Sequence, residues 1–194
     1  SVNHMGFVVL GIAAAAMATG SNDPSVRLSG TIATTGGVLQ MFNHGISAAA
    51  MFFLVGVVYD RTHTRNLDEL GGGIWQLAPV YGGILIFSSM ASLGLPGLSG
   101  FVSEFAIVRG SWPVFSTMTG LSMIGLFFTG AYILKAIRQV LHGPVNKEWS
   151  DHNMEISIRE KIVIAPLVVL MLIIGIWPWW ITFMINETVK TLIG

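Results

Sequence analysis

Long apolar runs, almost empty of charge, constrain this chain more than any other feature of its sequence. A bilayer core about 30 Å thick is crossed by a helix of about 20 mainly apolar residues. Five stretches answer to that description, at approximately residues 1–20, 29–59, 77–112, 117–141 and 161–185. No strand-like alternation competes with them. The expected fold is an all-α transmembrane bundle of about five spans, in a single membrane domain covering residues 1–194. Composition points the same way: 53% of the residues are hydrophobic and 10% charged, against about 25% charged in an average soluble domain. Disorder, a soluble enzyme and a secreted disulfide scaffold are excluded. Ten basic residues balance ten acidic ones, so there is no field to attract nucleic acid or another polyanion. Cysteine is absent, which removes disulfides and thiolate chemistry.

The sequence opens Ser1-Val2-Asn3-His4-Met5-Gly6-Phe7, with no initiator Met and no signal-peptide pattern. It reads as the interior of a helix, so a piece of a longer chain is expected. Basic residues set the orientation. Arg61, Arg65, Arg138, Lys147, Arg159 and Lys161 lie in the connections after the second and fourth spans, and Arg27, Arg109 and Lys190 on the opposite side. The first set is expected in the cytoplasm and the C-terminus outside. Trp177, Trp179 and Trp180 then fall where an aromatic belt belongs, and Pro178 is expected to kink or end the helix there. Asp60-Arg61-Thr62-His63-Thr64-Arg65 directly follows a span end and reads as an interfacial anchor and subunit contact. His63, His142 and His152 are too scattered for a zinc site.

The third stretch is interrupted by Gly94-Leu95-Pro96-Gly97-Leu98-Ser99-Gly100. Gly94, Pro96, Gly97 and Gly100 predict a discontinuous helix. A break inside a membrane leaves backbone groups unpaired unless it is buried in protein or lines a wet cavity, and such breaks mark ion sites in transporters. Glu104 follows Gly100 by four residues. The half-helix dipole favours its carboxylate and burial favours the neutral acid. A carboxylate at that depth costs about 2.5–3.5 kcal/mol on insertion scales, so a proton-exchanging role is expected. The bland alternative is a carboxyl that reaches interfacial water.

The second span carries a polar stripe. Gly36, Gln40, Asn43, His44 and Ser47 recur at three- and four-residue spacing and share one helix face. The stripe is either a proton relay, with His44 its titratable member, or hydrogen-bonding glue between helices. His4 by itself reads as a satisfied core histidine. Lys135, some two turns from the end of its span, either snorkels to the headgroups or joins a proton path.

These residues carry a resemblance. Ser1–Phe7, Asn43-His44-Gly45-Ile46-Ser47-Ala48-Ala49, Tyr59–Arg65, Leu95-Pro96-Gly97 and Phe101-Val102-Ser103-Glu104-Phe105 together resemble the chain M (chain 4) family of membrane subunits of proton-pumping NADH:quinone oxidoreductase, respiratory complex I. Tyr59–Arg65 is the most specific piece, and the resemblance runs from Ser1 to about Pro178. Members of that family have about fourteen spans in two inverted repeats, each with a broken helix. The resemblance implies that this chain holds the last five spans, most of the second half of an antiporter-like subunit. It implies that Glu104 is the acidic proton site of the broken helix, and that His4 and His44 link a central lysine to it. Gln40, Asn43, Ser47 and Lys135 are further candidates for the path. Lys135 is not a family motif position, Arg138-Gln139 reverses the usual order, and Asn3 replaces a usual serine. The resemblance further implies no cofactor in this chain, with NAD, FMN, iron–sulfur clusters and quinone in other subunits. It implies the neighbouring chains L and N and the lipid bilayer as partners, no nucleic acid, and a place in the bacterial plasma (inner) membrane. Two rival readings remain: a cation/proton antiporter or membrane-bound hydrogenase subunit of the same superfamily, and a structural membrane module that moves no protons.

Overall fold

Ser21-Asn22-Asp23-Pro24 stops one helix and starts the next. Asp23 caps the new helix by accepting a hydrogen bond from the Ser25 N–H, and Pro24 takes the first helical position, where no N–H is needed. The computed structural model describes residues 1–150 and 152–193, and its regular elements are helical. They are α1 (Val2–Thr19), α2 (Pro24–Thr62), the single turns α3 (Leu67–Leu70) and α4 (Ile74–Leu77), α5 (Pro79–Ser92), α6 (Ser99–Ser111), α7 (Ser116–Leu141), a 3₁₀ turn (Lys147–Trp149), α8 (Ile158–Ile176) and α9 (Trp179–Ile193).

Among the described residues three helices, α1, α2 and α7, are each long and apolar enough to cross a membrane, and α8 and α9 qualify together as a bent pair. The interruption in the third stretch is real: α5 ends at Ser92 and α6 begins at Ser99. The last stretch differs from one straight span. It bends by 71° between α8 and α9, because Pro178 supplies no N–H and α8 has already closed at Trp177. At 39 residues, α2 is roughly 58 Å long at 1.5 Å per residue, so its ends stand outside a bilayer core.

The bundle is arranged around α2, which packs on α1, α6, α9, α5 and α8. Lipid gives apolar side chains little reason to prefer one another, so membrane helices associate through close backbone approach. Here that approach runs through small residues. A Cβ on Gly11 would meet the Ala33 carbonyl at 2.7 Å, and one on Gly36 would meet the Ile107 nitrogen at the same distance. Gly30 lies against Ala18, and Gly110 against Ala33. Much of α7, by contrast, is bare, with Phe127 76% and Phe128 63% exposed.

One end of the bundle is tied by Arg61. Its Nη1 and Nη2 donate to Glu160 Oε1 and Oε2 at 3.0 and 2.8 Å, and Nη2 also donates to the Glu155 carbonyl at 3.0 Å. Glu155 in turn accepts from the Val80 and Tyr81 N–H groups at 3.1 and 3.0 Å, capping α5. The interfacial anchor expected of residues 60–65 is therefore divided. Arg61 turns inward and clamps α2 to α8, while Arg65 folds back over the Tyr59 ring, 4.6 Å from its centroid.

Candidate functional site

The break between α5 and α6 is built on glycine. Gly94 and Gly97 adopt φ of +78° and +91°, a left-handed region that other residues enter only at a cost. Helix side chains lean toward their own N-terminus. Glu104, in the second turn of α6, follows that rule and reaches back over the break, where a Cβ on Gly94 would overlap its Oε2. Gly175 of α8 presses against the Gly97 carbonyl and Leu98 from outside. The break is thus covered on one side: Leu98, Ser99 and Gly100 are buried, while Leu95, Pro96 and Gly97 at its tip are exposed.

Polar side chains from four helices converge there. His4 comes from α1, the stripe from α2, Ser92 from the end of α5, and Ser103 and Glu104 from α6. His4 and Glu104 are 4% and 5% exposed, and His4 Nδ1 lies 3.2 Å from Glu104 Oε1. The rings of His4 and His44 stand 5.2 Å apart, tilted by 36°. Gln40 Nε2 lies 3.2 Å from the same His4 Nδ1, and Ser92 Oγ lies 3.5 Å from His4 Nε2. Asn43 Nδ2 donates to the Ser99 carbonyl at 2.7 Å and to Ser103 Oγ at 3.0 Å, pinning α2 to the start of α6. The Ser103 hydroxyl has two acceptors within reach, Gln40 Oε1 and the Gly100 carbonyl.

Three buried polar atoms of this cluster have no hydrogen-bond partner: Glu104 Oε1, Asn43 Oδ1 and His44 Nδ1. His4, Gln40, Asn43, His44, Ser47 and Ser92 line a chamber of about 10 Å³, the space of about one water. A larger cleft of about 230 Å³ opens from His4, His44 and Ser1 toward Met51 and Phe52. A buried imidazole against a buried carboxyl, with the half-buried His44 ring beside the imidazole and a water-sized chamber alongside, can pass a proton along hydrogen bonds. Among the described residues no group of three or more His, Cys, Asp or Glu is placed to hold a metal ion.

The structure brings Glu104, His4, His44, Gln40, Asn43 and Ser47 together. Ser47 is buried, but its hydroxyl donates to the His44 carbonyl of its own helix at 3.3 Å. Gly36 serves packing against Ile107. Lys135 is not brought in: it is exposed on α7 and lines neither the chamber nor the cleft. Ser103 and Ser92 belong to the cluster without having been singled out in the sequence. Ser103 had one available signal, its place directly before Glu104 in a half-helix.

Residues 1–131 match the family model described as NADH:quinone oxidoreductase/Mrp antiporter, transmembrane. The chain is 37% identical over 193 residues to NADH-quinone oxidoreductase subunit M of Rhodobacter capsulatus, covering 100% of this chain and 35% of that protein. It is also 37% identical over 201 residues to NAD(P)H-quinone oxidoreductase chain 4 1 of Microcystis aeruginosa, covering 99% and 35%. The chain therefore spans about a third of the length of these relatives. Its fold is similar to a chain of respiratory complex I from Thermus thermophilus, with a TM-score of 0.66 at 20% identity, covering 100% of this chain and 44% of that one.

Proposed function

Because the chain belongs to the NADH:quinone oxidoreductase/Mrp antiporter transmembrane family, we propose that it forms part of a proton-translocating membrane subunit of NADH:quinone oxidoreductase. The observation that carries this reading is the buried His4–Glu104 pair, 3.2 Å apart, held against a helix break with His44 alongside.

In this reading electrons pass from NADH to quinone in other subunits, and NAD, FMN, iron–sulfur clusters and quinone all belong there. This chain is a part of the enzyme that moves protons and holds no redox centre. The break sets a carboxyl at a depth where its charge is expensive, so Glu104 holds its proton or gives it up according to the charge beside it. His4 supplies that charge, and His44 with the water-sized chamber continues the path along the polar centre of the bundle. Gln40, Asn43 and Ser47 orient the path. Lys135 lies off it and anchors α7 at the membrane surface. The whole of residues 1–194 forms one membrane domain. Antiporter-like chains L and N flank it in a bacterial plasma membrane, with the C-terminus outside. The bare face of α7 supports a neighbour or lipid on that side.

The test is Glu104→Gln in the intact complex, read as protons pumped per NADH oxidised in inverted membrane vesicles. Loss of most of the pumping through this subunit is expected, and unchanged stoichiometry would sink the proposal in favour of a structural membrane module. The family description also covers Mrp antiporters. An antiporter chain, unlike the proposed one, would show transport that depends on sodium and needs no NADH.

A further inference from the structure

Nitrogen Nδ1 of His4 is within 3.2 Å of two groups that make opposite demands on it. The Gln40 amide, when its nitrogen faces His4, donates and needs a lone pair. The Glu104 carboxylate accepts and needs a hydrogen. One ring nitrogen offers one or the other, never both. The orientation of the Gln40 amide is fixed from its far side by Ser103: when the Ser103 hydroxyl donates to Gln40 Oε1, the amide nitrogen is turned to His4. The neutral ring then carries its hydrogen on Nε2, toward Ser92, and Glu104 Oε1 is left without a partner.

The opposite arrangement is equally complete. Ser103 has a second acceptor, the Gly100 carbonyl at 3.0 Å. With its hydroxyl turned there, Ser103 Oγ accepts from both Asn43 Nδ2 and a rotated Gln40 amide, which fills its two lone pairs. Gln40 then presents its carbonyl to His4, and Nδ1 carries one hydrogen, which the Gln40 carbonyl and Glu104 share as acceptors. The Asn43 amide, the Ser103 hydroxyl and the Gln40 amide each donate in both states, so the switch leaves none of these three groups without an acceptor.

We propose that Gln40 and Ser103 are positioning residues that act as a latch on proton transfer between His4 and Glu104. This rests on the reading above, that the pair exchanges a proton. In the forward step the Nδ1–H bond of imidazolium His4 breaks and an O–H bond forms on the Glu104 carboxylate. His4 passes from charge +1 to 0 and Glu104 from −1 to 0, so charge and atoms balance. The lone pair left on Nδ1 is then taken by the rotated Gln40 amide, and the proton on Glu104 has lost its way back. Without Gln40, Nδ1 faces Glu104 alone, and the hydrogen goes back to Nδ1, where the carboxylate accepts it.

The test uses the intact complex with histidine labelled with nitrogen-15. The His4 signals are assigned by subtracting the spectrum of a His4→Gln variant. In the parent, neutral His4 is expected as the Nε2–H tautomer. Gln40→Leu is expected to move it to the Nδ1–H tautomer and to lower the pumping that passes through this subunit by roughly tenfold, the effect of about 1.4 kcal/mol from one hydrogen bond. Ser103→Ala, which frees the amide without removing it, is expected to give a mixture of tautomers. Gln40→Glu, which in its protonated form again offers Nδ1 a donor, is expected to recover part of the Nε2–H signal. An unchanged His4 tautomer in Gln40→Leu overturns the latch, whatever happens to pumping. Failure of the Glu104→Gln experiment alone overturns the pumping role and leaves the tautomer result standing.

Discussion

At the scale of single residues, depth in the membrane makes every polar atom consequential. Gly94 shows this without carrying any polar side chain. Its φ of +78° and its place beneath Glu104 Oε2 leave no room for a Cβ in either respect. Gly94→Ala would meet a backbone penalty of about 1–2 kcal/mol and would push the Glu104 carboxyl off its seat. The expected outcome is a complex that still assembles but pumps well below the parent, with the His4–Glu104 pair separated. Pumping assays in vesicles, beside a check of subunit content, would decide it. Full pumping by Gly94→Ala would mean that the seat of Glu104 is not critical.

Between elements, close backbone approach does the work that larger side chains do in water-soluble cores. Gly175 is the case nearest the site: a Cβ there would overlap the Gly97 carbonyl and Leu98, and both are backbone that cannot turn aside. Gly175→Ala is expected to lift α8 from the break and let water reach it. That should appear as faster amide exchange at residues 98–100, the buried part of the break, with a thermal midpoint lowered by a few degrees. Exchange equal to the parent's would show that α8 is not the seal.

What could be read beforehand follows the same division. The apolar runs, the break and Glu104 were legible because each is written in a continuous stretch of sequence. The α2 stripe was legible because helical periodicity alone puts Gln40, Asn43, His44 and Ser47 on one face. Partnership across elements was not. Ser103 looks like any serine near a helix start until Gln40, 63 positions away, is set beside it. His4 gained a role only through resemblance, since nothing local says that it meets Glu104. For Lys135 the sequence left two readings open, because periodicity does not reveal which face of α7 lies bare, and its exposed place on α7 agrees with the one that sends it to the headgroups.

Across the whole molecule, the Arg61 clamp sets how the bundle responds to acid. It joins residues 99 positions apart and was invisible in the charge pattern, which distinguishes only the two sides of a membrane. Hydrogen bonding from the Arg61 guanidinium holds the Glu160 carboxyl down at about 2, against an ordinary 4.5. A carboxyl depressed by folding binds its proton more readily when unfolded. Its contribution is therefore whole above about pH 4.5 and is lost as pH falls from there toward 2. The Glu160 side chain is 21% exposed, and solvent screening keeps that contribution to about 1 kcal/mol. Glu160→Gln removes the charge yet preserves the capping role at the third position of α8, which Gln also fills. Thermal unfolding of the complex in nanodiscs should therefore show the parent losing its advantage over Glu160→Gln between pH 4.5 and 2. Arg61→Lys, which keeps the charge but not the two-pronged contact, should fall between them. Curves that decline in parallel for all three would place the acid response elsewhere. The clamp and the polar cluster at the helix break set their carboxyls against different partners. Glu160 is held charged by an arginine fork, and Glu104 is set opposite a histidine. In the reading proposed above, that contrast gives one end of the bundle the work of holding the helices and its centre the work of moving protons.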